Sequence, residues 1–253
     1  MRLENKVAVV TGASGGIGQE IVRKFVAEGA RVLAADLNAS DVEKLAAGYG
    51  DEVSALAADV TDYAQADGMV SAAVERFGSF DVMVNNAGIA PLKPLLEHDP
   101  VADWDAVTAV NQKGVYHGIL AAARKLIELG KPGVILNASS IYGSIAAELS
   151  FTYNVSKSAV DMMTKCAALE LAHYGIRVVA VAPGRVDTPM LQQAKALGIW
   201  DHMRREQMRG EFTQPEEIAN IYAFLASGEA NCINGSTVAA EDGYLSFKFP
   251  MGD

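Results

Sequence analysis

Tyr153 and Lys157 have the residue types and the spacing for proton transfer. They lie four residues apart in a segment with helical periodicity, so both side chains are expected on one helical face. A phenol with a pKa of about 10 is a poor base at neutral pH, but a neighbouring ammonium favours the phenolate and lowers that pKa. Tyr153 could then take the proton of an alcohol as hydride leaves the carbon, or return a proton to a ketone. Because this pair is also common on ordinary amphipathic helices, the prediction needs support from elsewhere in the chain.

A glycine-rich loop near the amino terminus supplies that support. Residues 11–18 read Thr-Gly-Ala-Ser-Gly-Gly-Ile-Gly, directly after an apolar run and before a helical pattern. Glycines permit a tight turn there, and they let backbone N–H groups approach a pyrophosphate at the start of the helix. The loop therefore predicts a dinucleotide site. Its expected contacts are Gly12, Ser14, Gly16, Ile17 and Gly18.

Asp36 bears on the choice between the two nicotinamide dinucleotides. It ends the second apolar run, where a carboxylate can accept hydrogen bonds from both ribose hydroxyls of an adenosine and would repel a 2′-phosphate. Neither Leu37, which follows it, nor Ser14 in the loop offers the positive charge that a 2′-phosphate needs. Asp59 and Val60, after the third run, are expected to reach the adenine in the same way. The sequence thus predicts NAD rather than NADP as the cofactor.

The elements that must position these residues alternate regularly. Short apolar runs suited to buried strands are separated by stretches of 3.6-residue periodicity. The runs are residues 7–10, 31–35, 53–57, 81–84, 133–137 and 177–181. Strand–helix–strand repetition implies right-handed crossovers and a parallel sheet. We therefore predict an α/β fold, a Rossmann-type doubly wound parallel sheet flanked by helices on both faces, in a single domain spanning residues 1–253.

Residues 184–212 interrupt this alternation. The segment contains Pro189, Gly198 and several apolar side chains, and it predicts two short helices that project from the carboxyl end of the sheet. Open α/β sheets bind their ligands at that end, which makes the segment a candidate substrate lid. An oligomer contact and ordinary packing are the alternatives. A new helix is predicted to begin at Pro215, because proline suits the first turn of a helix.

Composition argues against several classes of function. The chain has 253 residues, half of them apolar, with 21 basic and 31 acidic side chains and a net charge of −10. That balance argues against nucleic-acid binding, which needs clustered Lys and Arg. No apolar stretch approaches the ~20 residues that span a bilayer, and the run at 7–10 is too short for a secretory signal, so a cytoplasmic protein without membrane contact is expected. Cys166 and Cys232 fit no zinc or redox spacing, so we expect no metal site and predict both as packing residues.

Together these features resemble the short-chain dehydrogenase/reductase family in its compact single-domain form. The matching motifs are TGxxxGxG at 11–18, NNAG at 85–88, a helix asparagine at Asn111, YxxxK at Tyr153 and Lys157, and PGxVxT at 183–188. Ser140 stands thirteen residues before Tyr153, the spacing usual in the family, so it matches the family's catalytic serine better than Ser139 does. Each motif is short, but their order and spacing over nearly the whole chain are highly specific.

The resemblance implies roles for individual residues. The catalytic group would be Asn111, Ser140, Tyr153 and Lys157. Cofactor contacts would extend to Asn86, Ala87, Gly88, Tyr153, Lys157, Pro183, Gly184, Val186 and Thr188. Substrate contacts would come from Ser140, Tyr142, Glu148, Tyr153, Met190 and Trp200. In this scheme Ser140 holds the substrate oxygen, and Lys157 also binds the nicotinamide ribose.

The resemblance also implies an assembly. Relatives of this architecture are usually tetramers, so we expect a homotetramer whose main contact uses helices at about residues 101–129 and 152–174. Apolar residues beyond one face of these helices support that expectation, namely Val115, Ile119, Met162 and Met163. The apolar tail at residues 245–251 would either cover a neighbouring subunit's site or pack on its own core.

We therefore expect an NAD-dependent oxidoreductase that interconverts a secondary alcohol and its ketone. The mostly apolar candidate pocket favours a cyclic, aromatic or medium-sized apolar substrate. A 3-oxoacyl-carrier-protein reductase is the alternative enzyme, although Asp36 and the acidic net charge count against it. A non-catalytic NAD(H)-binding sensor is the alternative from another class. Residues 210–211 and 240–244 depart from the family pattern, which weakens any substrate taken over from one relative.

Overall fold

A seven-stranded parallel sheet forms the centre of the molecule. The computed structural model describes residues 1–246, and its strands pair in the order β3-β2-β1-β4-β5-β6-β7. The strands are β1 (Val7–Thr11), β2 (Arg31–Asp36), β3 (Val53–Ala57), β4 (Val82–Asn85), β5 (Gly133–Ala138), β6 (Ile176–Pro183) and β7 (Thr237–Ala240). The α-helices are α1 (Gly16–Ala27), α2 (Ala39–Ala47), α3 (Tyr63–Phe77), α4 (Ala106–Thr108), α5 (Val115–Glu128), α6 (Phe151–Leu171), α7 (Gln193–Ala196), α8 (Trp200–Arg205) and α9 (Pro215–Ala226). The predicted doubly wound fold is confirmed.

Helices cover the sheet on both faces. Along β1, Ala8 and Val10 belong to one apolar core, which α1 and α9 complete. Val7 and Val9 point the other way, into a core completed by α3, α5 and α6. Strands that are buried on both faces have no polar face, and this explains why they appear in the sequence as continuous apolar runs.

The strand order creates a crevice beside β1. β1 pairs with β2 on one side and with β4 on the other, so the direction of winding reverses between β1 and β4. Doubly wound sheets bind ligands at this switch point, at the carboxyl ends of their strands. The loops after β1, β4, β5 and β6 all open at that edge, and these loops carry the motifs singled out from the sequence.

Several elements differ from the prediction or extend it. All six predicted strands are present, but the last strand, β7, was not predicted. The predicted helix at 101–129 is interrupted by π-helical turns at Pro100–Asp105 and Ala109–Gly114, on either side of α4. Residues 184–212 contain the two short helices α7 and α8, as predicted, and α9 begins at Pro215.

Both cysteines are exposed, so the prediction that they are packing residues is wrong. Cys166 lies on α6 midway between the buried Thr164 and Ala168, which places its side chain on the outward face of the helix. Cys232 lies in the connection between α9 and β7. Of the apolar tail, residues 247–251 lie outside the described residues.

Residues 1–246 contain neither a membrane-spanning helix nor a cluster of metal ligands. None of the helices there is both long and apolar enough to cross a membrane. The same part of the chain has no group of three or more His, Cys, Asp or Glu side chains arranged to hold a metal ion.

Asp81 joins the amino-terminal ends of two central strands. Its carboxylate accepts a hydrogen bond from the Val7 N–H (3.0 Å) and pairs with Lys131 (3.0 Å) and Lys6 (3.4 Å). Burial alone would raise the pKa of this carboxyl. The Lys131 hydrogen bond and the Val7 N–H outweigh that effect, so the pKa of Asp81 lies below its ordinary value.

We predict that Asp81→Asn lowers the free energy of unfolding by about 1–3 kcal/mol, because buried donors lose a charged acceptor. A carboxyl whose pKa is lower in the folded chain stabilises it above the unfolded pKa of about 3.9, and that stabilisation is lost as pH falls through the folded pKa. The difference between the proteins should therefore shrink in acid. Urea unfolding at matched protein concentration measures it. The control is Asp51→Asn at the exposed pair with Arg76, and equal losses in both variants would contradict the prediction.

Candidate active site

Thr11 joins the glycine loop to the NNAG segment. Its Oγ1 accepts hydrogen bonds from the backbone N–H groups of Asn86 (3.0 Å) and Ala87 (3.1 Å). The side-chain amide of Asn86 donates in return to the carbonyls of Thr11 (3.0 Å) and Gly12 (3.1 Å). These contacts hold the loops after β1 and β4 side by side at the crevice.

The predicted glycine contacts are places where a side chain cannot fit. Gly12 has a φ of +61°, and a Cβ there would lie 2.8 Å from the Cα of Ala87. A Cβ on Gly18 would lie 2.0 Å from the carbonyl oxygen of Gly12. A Cβ on Gly16 would lie 2.9 Å from the methyl group of Thr188, so Thr188 closes over the start of α1. The first residues of α1, which include Ile17, have backbone N–H groups without partners inside the helix, and they lie directly beneath the Thr188 side chain.

The structure brings Asp36 and Ser14 into contact. The Asp36 carboxylate at the end of β2 accepts hydrogen bonds from the backbone N–H (3.0 Å) and the hydroxyl (2.5 Å) of Ser14. Leu37 beside them is 74% exposed. The pair thus places a carboxylate and a hydroxyl next to the glycine loop.

Asp59 and Val60 lie in the connection after β3. The Asp59 carboxylate accepts a hydrogen bond from the Thr61 N–H (2.8 Å), so it stabilises its own turn. The carbonyl of Val60 lies 2.9 Å from Nδ1 of His117, and a Cβ on Gly114 would lie 2.7 Å from the Val60 side chain. These contacts hold the connection against the start of α5.

Ser140, Tyr153 and Lys157 meet at the ends of β5 and α6. Ser140 is 6% exposed and Lys157 is 3% exposed. The Ser140 side chain opposes the effect of burial on the pKa of the Tyr153 phenol, so it lies next to that group. Lys157 Nζ lies 5.4 Å from the centre of the Tyr153 ring and donates a hydrogen bond to the Ala138 carbonyl (2.7 Å). The three side chains proposed from the sequence therefore form one group, in which Ser140 and Lys157 are buried and Tyr153 is partly buried.

Burial controls the ionisation of this group. It raises the pKa of Tyr153 to about 12, against the opposing hydrogen bond from Ser140. It also lowers the pKa of Lys157 to about 8, against the opposing negative charge of Asp161. The prediction that Lys157 lowers the pKa of Tyr153 is therefore wrong for the chain alone. The Lys157 amine donates its hydrogen bond to the Ala138 carbonyl instead. Burial of the Tyr153 phenol is then the largest effect on its pKa.

Asn111 fixes the wall next to Lys157. It is fully buried in the second π-helical turn, where its amide accepts from the Ile89 N–H (2.9 Å) and donates to the Ile89 carbonyl (2.9 Å). It also donates to the Ser156 hydroxyl (3.1 Å). A Cβ on Gly88 would lie 3.4 Å from the Asn111 amide oxygen and 3.6 Å from Lys157 Nζ. Asn111 therefore holds the segment after β4 against the catalytic candidates.

The turn after β6 reaches the same edge of the sheet. Pro183 ends β6, and the Gly184 N–H donates to the Ala240 carbonyl of β7 (3.0 Å). Val186 is buried and forms a parallel bridge with Thr213. β7, which was not predicted from the sequence, thus supports the turn at residues 183–188.

A cavity of about 370 Å³ opens between the NNAG segment and residues 184–212. It is lined by Gly88, Ile89, Ala90, Pro91, Ala102 and Met190. Met190 is therefore placed for the predicted substrate contact. Trp200 is not among the described residues that line this cavity; its ring packs edge-on against Phe212, 4.6 Å between centres, with Lys195 Nζ 4.2 Å from the indole.

Glu148 is separated from the Met190 cavity. It lines a second cavity of about 350 Å³, together with Lys93, Leu95, Ala146, Ala147, Leu149, Phe151, Asn154 and Val155. Leu149 has a φ of +61°, and its carbonyl accepts a hydrogen bond from the Lys93 N–H (2.8 Å). This turn directs Glu148 to the surface, so its predicted place in one pocket with Met190 is wrong. Tyr142 remains beside Ser140, whose Oγ accepts the Tyr142 N–H (3.2 Å).

Arg185 is a residue that sequence reasoning missed. It occupies the variable position of the 183–188 turn, and its guanidinium is hydrogen-bonded to the phenol oxygen of Tyr142 (3.3 Å). An arginine inside a turn of otherwise small or medium-sized residues was the available signal. The sequence alone did not reveal that this side chain turns inward.

The residues at the crevice fit a nicotinamide dinucleotide. The backbone N–H groups in the first turn of α1, where the glycine loop lacks side chains at Gly16 and Gly18, could bind the pyrophosphate. Asp36 and Ser14 could hold the adenosine ribose through a carboxylate and a hydroxyl. Tyr153 and Lys157 lie where the other end of such a molecule would meet the Met190 cavity, because Gly88 borders both.

Comparison with known proteins identifies the class. A family model described as enoyl-(acyl carrier protein) reductase matches residues 12–245. The chain is 37% identical over 252 residues to 3beta-hydroxysteroid dehydrogenase 2 of Eggerthella lenta, covering 97% of this chain and 96% of the relative. It is 38% identical over 248 residues to the 3-oxoacyl-[acyl-carrier-protein] reductase FabG of Thermotoga maritima, covering 97% of this chain and 100% of the relative.

A solved structure agrees with these relatives. The crystal structure of 3-ketoacyl-(acyl-carrier-protein) reductase from Brucella melitensis complexed with NADH matches with a TM-score of 0.88 at 33% identity, covering 96% of this chain and 99% of that chain. The chain belongs to the short-chain dehydrogenase/reductase family. It is an oxidoreductase of that family.

We predict that the Lys157 amine titrates with a pKa of about 8 and is mostly neutral above that pH. Heteronuclear NMR of lysine labelled at its side-chain carbons can follow this titration, and Lys157→Met identifies the signal. Asp161→Asn removes the negative charge that raises the pKa of Lys157, so the midpoint should move lower still. A Lys157 signal with the ordinary lysine pKa of about 10.4 would contradict the burial argument.

Proposed function

We propose that this protein is an NAD-dependent dehydrogenase that interconverts a secondary alcohol and its ketone. The observation that carries the proposal is the meeting of Ser140, Tyr153 and Lys157 at the carboxyl end of β5, with Ser140 and Lys157 buried. A non-catalytic NAD(H)-binding sensor would have no need of all three side chains in contact. Burial of a lysine and a tyrosine is costly, which favours a chemical role for the pair.

Each member of the group has a distinct part in the reaction. When bound, NAD supplies the oxidised ring that accepts hydride from the alcohol carbon. The Ser140 hydroxyl donates a hydrogen bond to the substrate oxygen, and Tyr153 Oη takes the proton of that oxygen during oxidation. In ketone reduction Tyr153 returns the proton. Lys157 holds the ribose next to this ring, and Asn111 keeps the cavity wall at Ile89 in place.

The direction of the Tyr153 pKa matters for this scheme. A pKa of about 12 keeps the phenol protonated in the chain alone, which is the form that donates a proton to a ketone. Alcohol oxidation needs the phenolate, and positive charge close to the phenol favours it. Lys157 supplies part of that charge when its ammonium leaves the Ala138 carbonyl for the ribose.

Asp36 supports NAD as the cofactor. The Asp36 carboxylate and the Ser14 hydroxyl stand together beside the glycine loop, where a 2′-phosphate would meet a negative charge without a basic partner from Leu37. The similar reductase from Brucella melitensis was crystallised with NADH.

The substrate is proposed to be a cyclic, aromatic or medium-sized apolar alcohol or ketone. The side chains that line the 370 Å³ cavity are all apolar, and Met190 is one of them. We further propose that residues 184–212 are the substrate lid, because they contribute Met190 to that lining. The relative from Eggerthella lenta is named as a hydroxysteroid dehydrogenase, which fits an apolar substrate.

A 3-oxoacyl-carrier-protein reductase is the second candidate. The similar proteins from Thermotoga maritima and Brucella melitensis bear that name. The net charge of −10 counts against it, since an acidic carrier protein binds best to a basic surface.

A homotetramer is the proposed assembly. Met162 is 57% exposed and Leu169 is 82% exposed on α6, and Tyr116 is 52% exposed on α5, so these helices offer apolar surface to a partner. Val115 and Ile119 do not contribute, because both pack inside the core of their own subunit.

We predict a higher kcat/KM with NAD than with NADP. Replacing Asp36 with Ala and Leu37 with Arg together should shift the preference toward NADP, because a repelling carboxylate is exchanged for an arginine. Asp51→Ala, at the exposed pair with Arg76, is the control and should leave the preference unchanged. Equal or better use of NADP by the wild-type protein would contradict the assignment.

A panel of substrates tests the proposed reaction. Secondary alcohols of increasing apolar size are offered with NAD, and acetoacetyl thioesters of carrier protein are offered with NADH and NADPH, while absorbance of the reduced cofactor is followed. We expect turnover with cyclic or aromatic secondary alcohols. Preferential reduction of the carrier-bound thioester would favour the second candidate, and cofactor binding without any turnover would favour the sensor.

A further inference from the structure

We propose that Arg185 is a positioning residue that fastens residues 184–212 to the turn carrying Ser140. The inference rests on the proposed function, because it concerns how the serine and the substrate wall are held. Arg185 directly follows Gly184, at the variable position of the turn after β6. Because the pattern of the turn leaves this position open, the turn itself does not require an arginine there.

The Arg185 guanidinium bonds to three separate parts of the chain. Nε donates to the phenol oxygen of Tyr142 (3.3 Å), in the turn after Ser140. Nη1 donates to the Met203 carbonyl (2.9 Å) and to the Glu206 carboxylate, at the end of α8. Nη2 donates to the phenol oxygen of Tyr244 (3.3 Å), whose ring centre lies 5.1 Å from the guanidinium carbon. We call these side chains of Arg185, Tyr142, Glu206 and Tyr244 the Arg185 clamp.

The clamp is mostly shielded from water. The Arg185 side chain is 10% exposed and the Glu206 side chain is 17% exposed. Burial alone would lower the pKa of Arg185, but the contacts with Tyr142 and Glu206 outweigh burial and raise it. A shielded ion pair that loses one partner leaves the other charge uncompensated, so its removal disturbs the structure more than removal of a surface pair.

The clamp connects the lid to the catalytic turn through short links. The Tyr142 N–H donates to Ser140 Oγ (3.2 Å), so the position of Tyr142 bears directly on the serine hydroxyl. On the other side, Glu206 belongs to the same segment as Met190, which lines the substrate cavity. Loss of Arg185 should therefore displace both the hydroxyl that holds the substrate oxygen and the wall that holds the substrate body.

A matched control lies close by. Glu217, in the first turn of α9, pairs with Arg209 at 2.9 Å. Both side chains are about half exposed, at 43% and 50%. Glu217→Gln thus makes the same chemical change as Glu206→Gln, at another ion pair that anchors residues 184–212, without touching Tyr142.

The test uses the full chain and four variants: Arg185→Met, Arg185→Lys, Glu206→Gln and Glu217→Gln. Steady-state kinetics use the best alcohol of the panel at saturating NAD, and NADH fluorescence gives the cofactor dissociation constant. We expect Arg185→Met to raise KM and lower kcat, together costing about tenfold or more in kcat/KM, with cofactor affinity unchanged. Arg185→Lys should recover little, because an ammonium cannot reproduce the fork of contacts. The kcat/KM of Glu206→Gln should lie between those of the wild type and Arg185→Met. The kcat/KM of Glu217→Gln should resemble that of the wild type.

Hydrogen–deuterium exchange of the free protein separates this inference from the proposed function. Residues 200–212 and 140–144 should exchange faster in Arg185→Met and Glu206→Gln than in the wild type and Glu217→Gln, whatever the substrate is. Unchanged exchange in both segments would overturn the clamp even if turnover is observed. Unchanged KM and kcat with weakened NAD binding would also overturn it, because Arg185 would then support the cofactor loop. If Arg185→Met fails to fold, Glu206→Gln decides by the same measurements.

Discussion

The burial of Lys157 beside Tyr153 is the constraint on which the rest of the site depends. An ammonium that is removed from water needs a polar partner, and the Ala138 carbonyl at the end of β5 is that partner. This requires α6 to lie across the end of the strand, and it brings the amine close to the backbone at Gly88, where a Cβ would lie 3.6 Å from Lys157 Nζ. A backbone carbonyl therefore positions the Lys157 amine, and the amine lies next to the Tyr153 ring.

A chain of buried side-chain hydrogen bonds holds α6 against the strands that carry the site. Asn85 at the end of β4 donates to Asn137 of β5 (2.9 Å), and Asn137 donates to the Thr164 hydroxyl of α6 (2.9 Å). A Cβ on Gly118 would lie 1.8 Å from the Asn85 amide oxygen, so only glycine lets α5 approach this chain. Two strands and two helices are thereby fixed relative to one another, about two turns of α6 away from Lys157. Buried networks whose members are all bonded favour one arrangement of the elements over others.

Sequence reasoning succeeded where one physical requirement dominates a short segment. Burial on both faces makes the central strands continuous apolar runs, and the close approach at Gly12 and Gly18 demands glycine, so the fold and the cofactor loop were predictable. It failed where the outcome depends on distant partners. β7 is short and only partly buried, so it lacks a pattern of its own. The pKa of Tyr153 depends on which oxygen Lys157 bonds to, and the direction of Glu148 depends on the backbone turn at Leu149; neither can be inferred from spacing.

The central claim is that the buried phenol of Tyr153 transfers the proton. Tyr153→Phe keeps the ring and its packing but removes the ionisable oxygen. The most direct measurement is single-turnover reduction of saturating NAD by an alcohol deuterated at its carbinol carbon, followed as a function of pH. The account predicts that the wild-type rate rises with pH to a plateau, and that the variant binds NAD equally well but transfers the label about 10²-fold or more slowly, without that pH dependence. A variant with a near wild-type rate and the same pH profile would contradict the account.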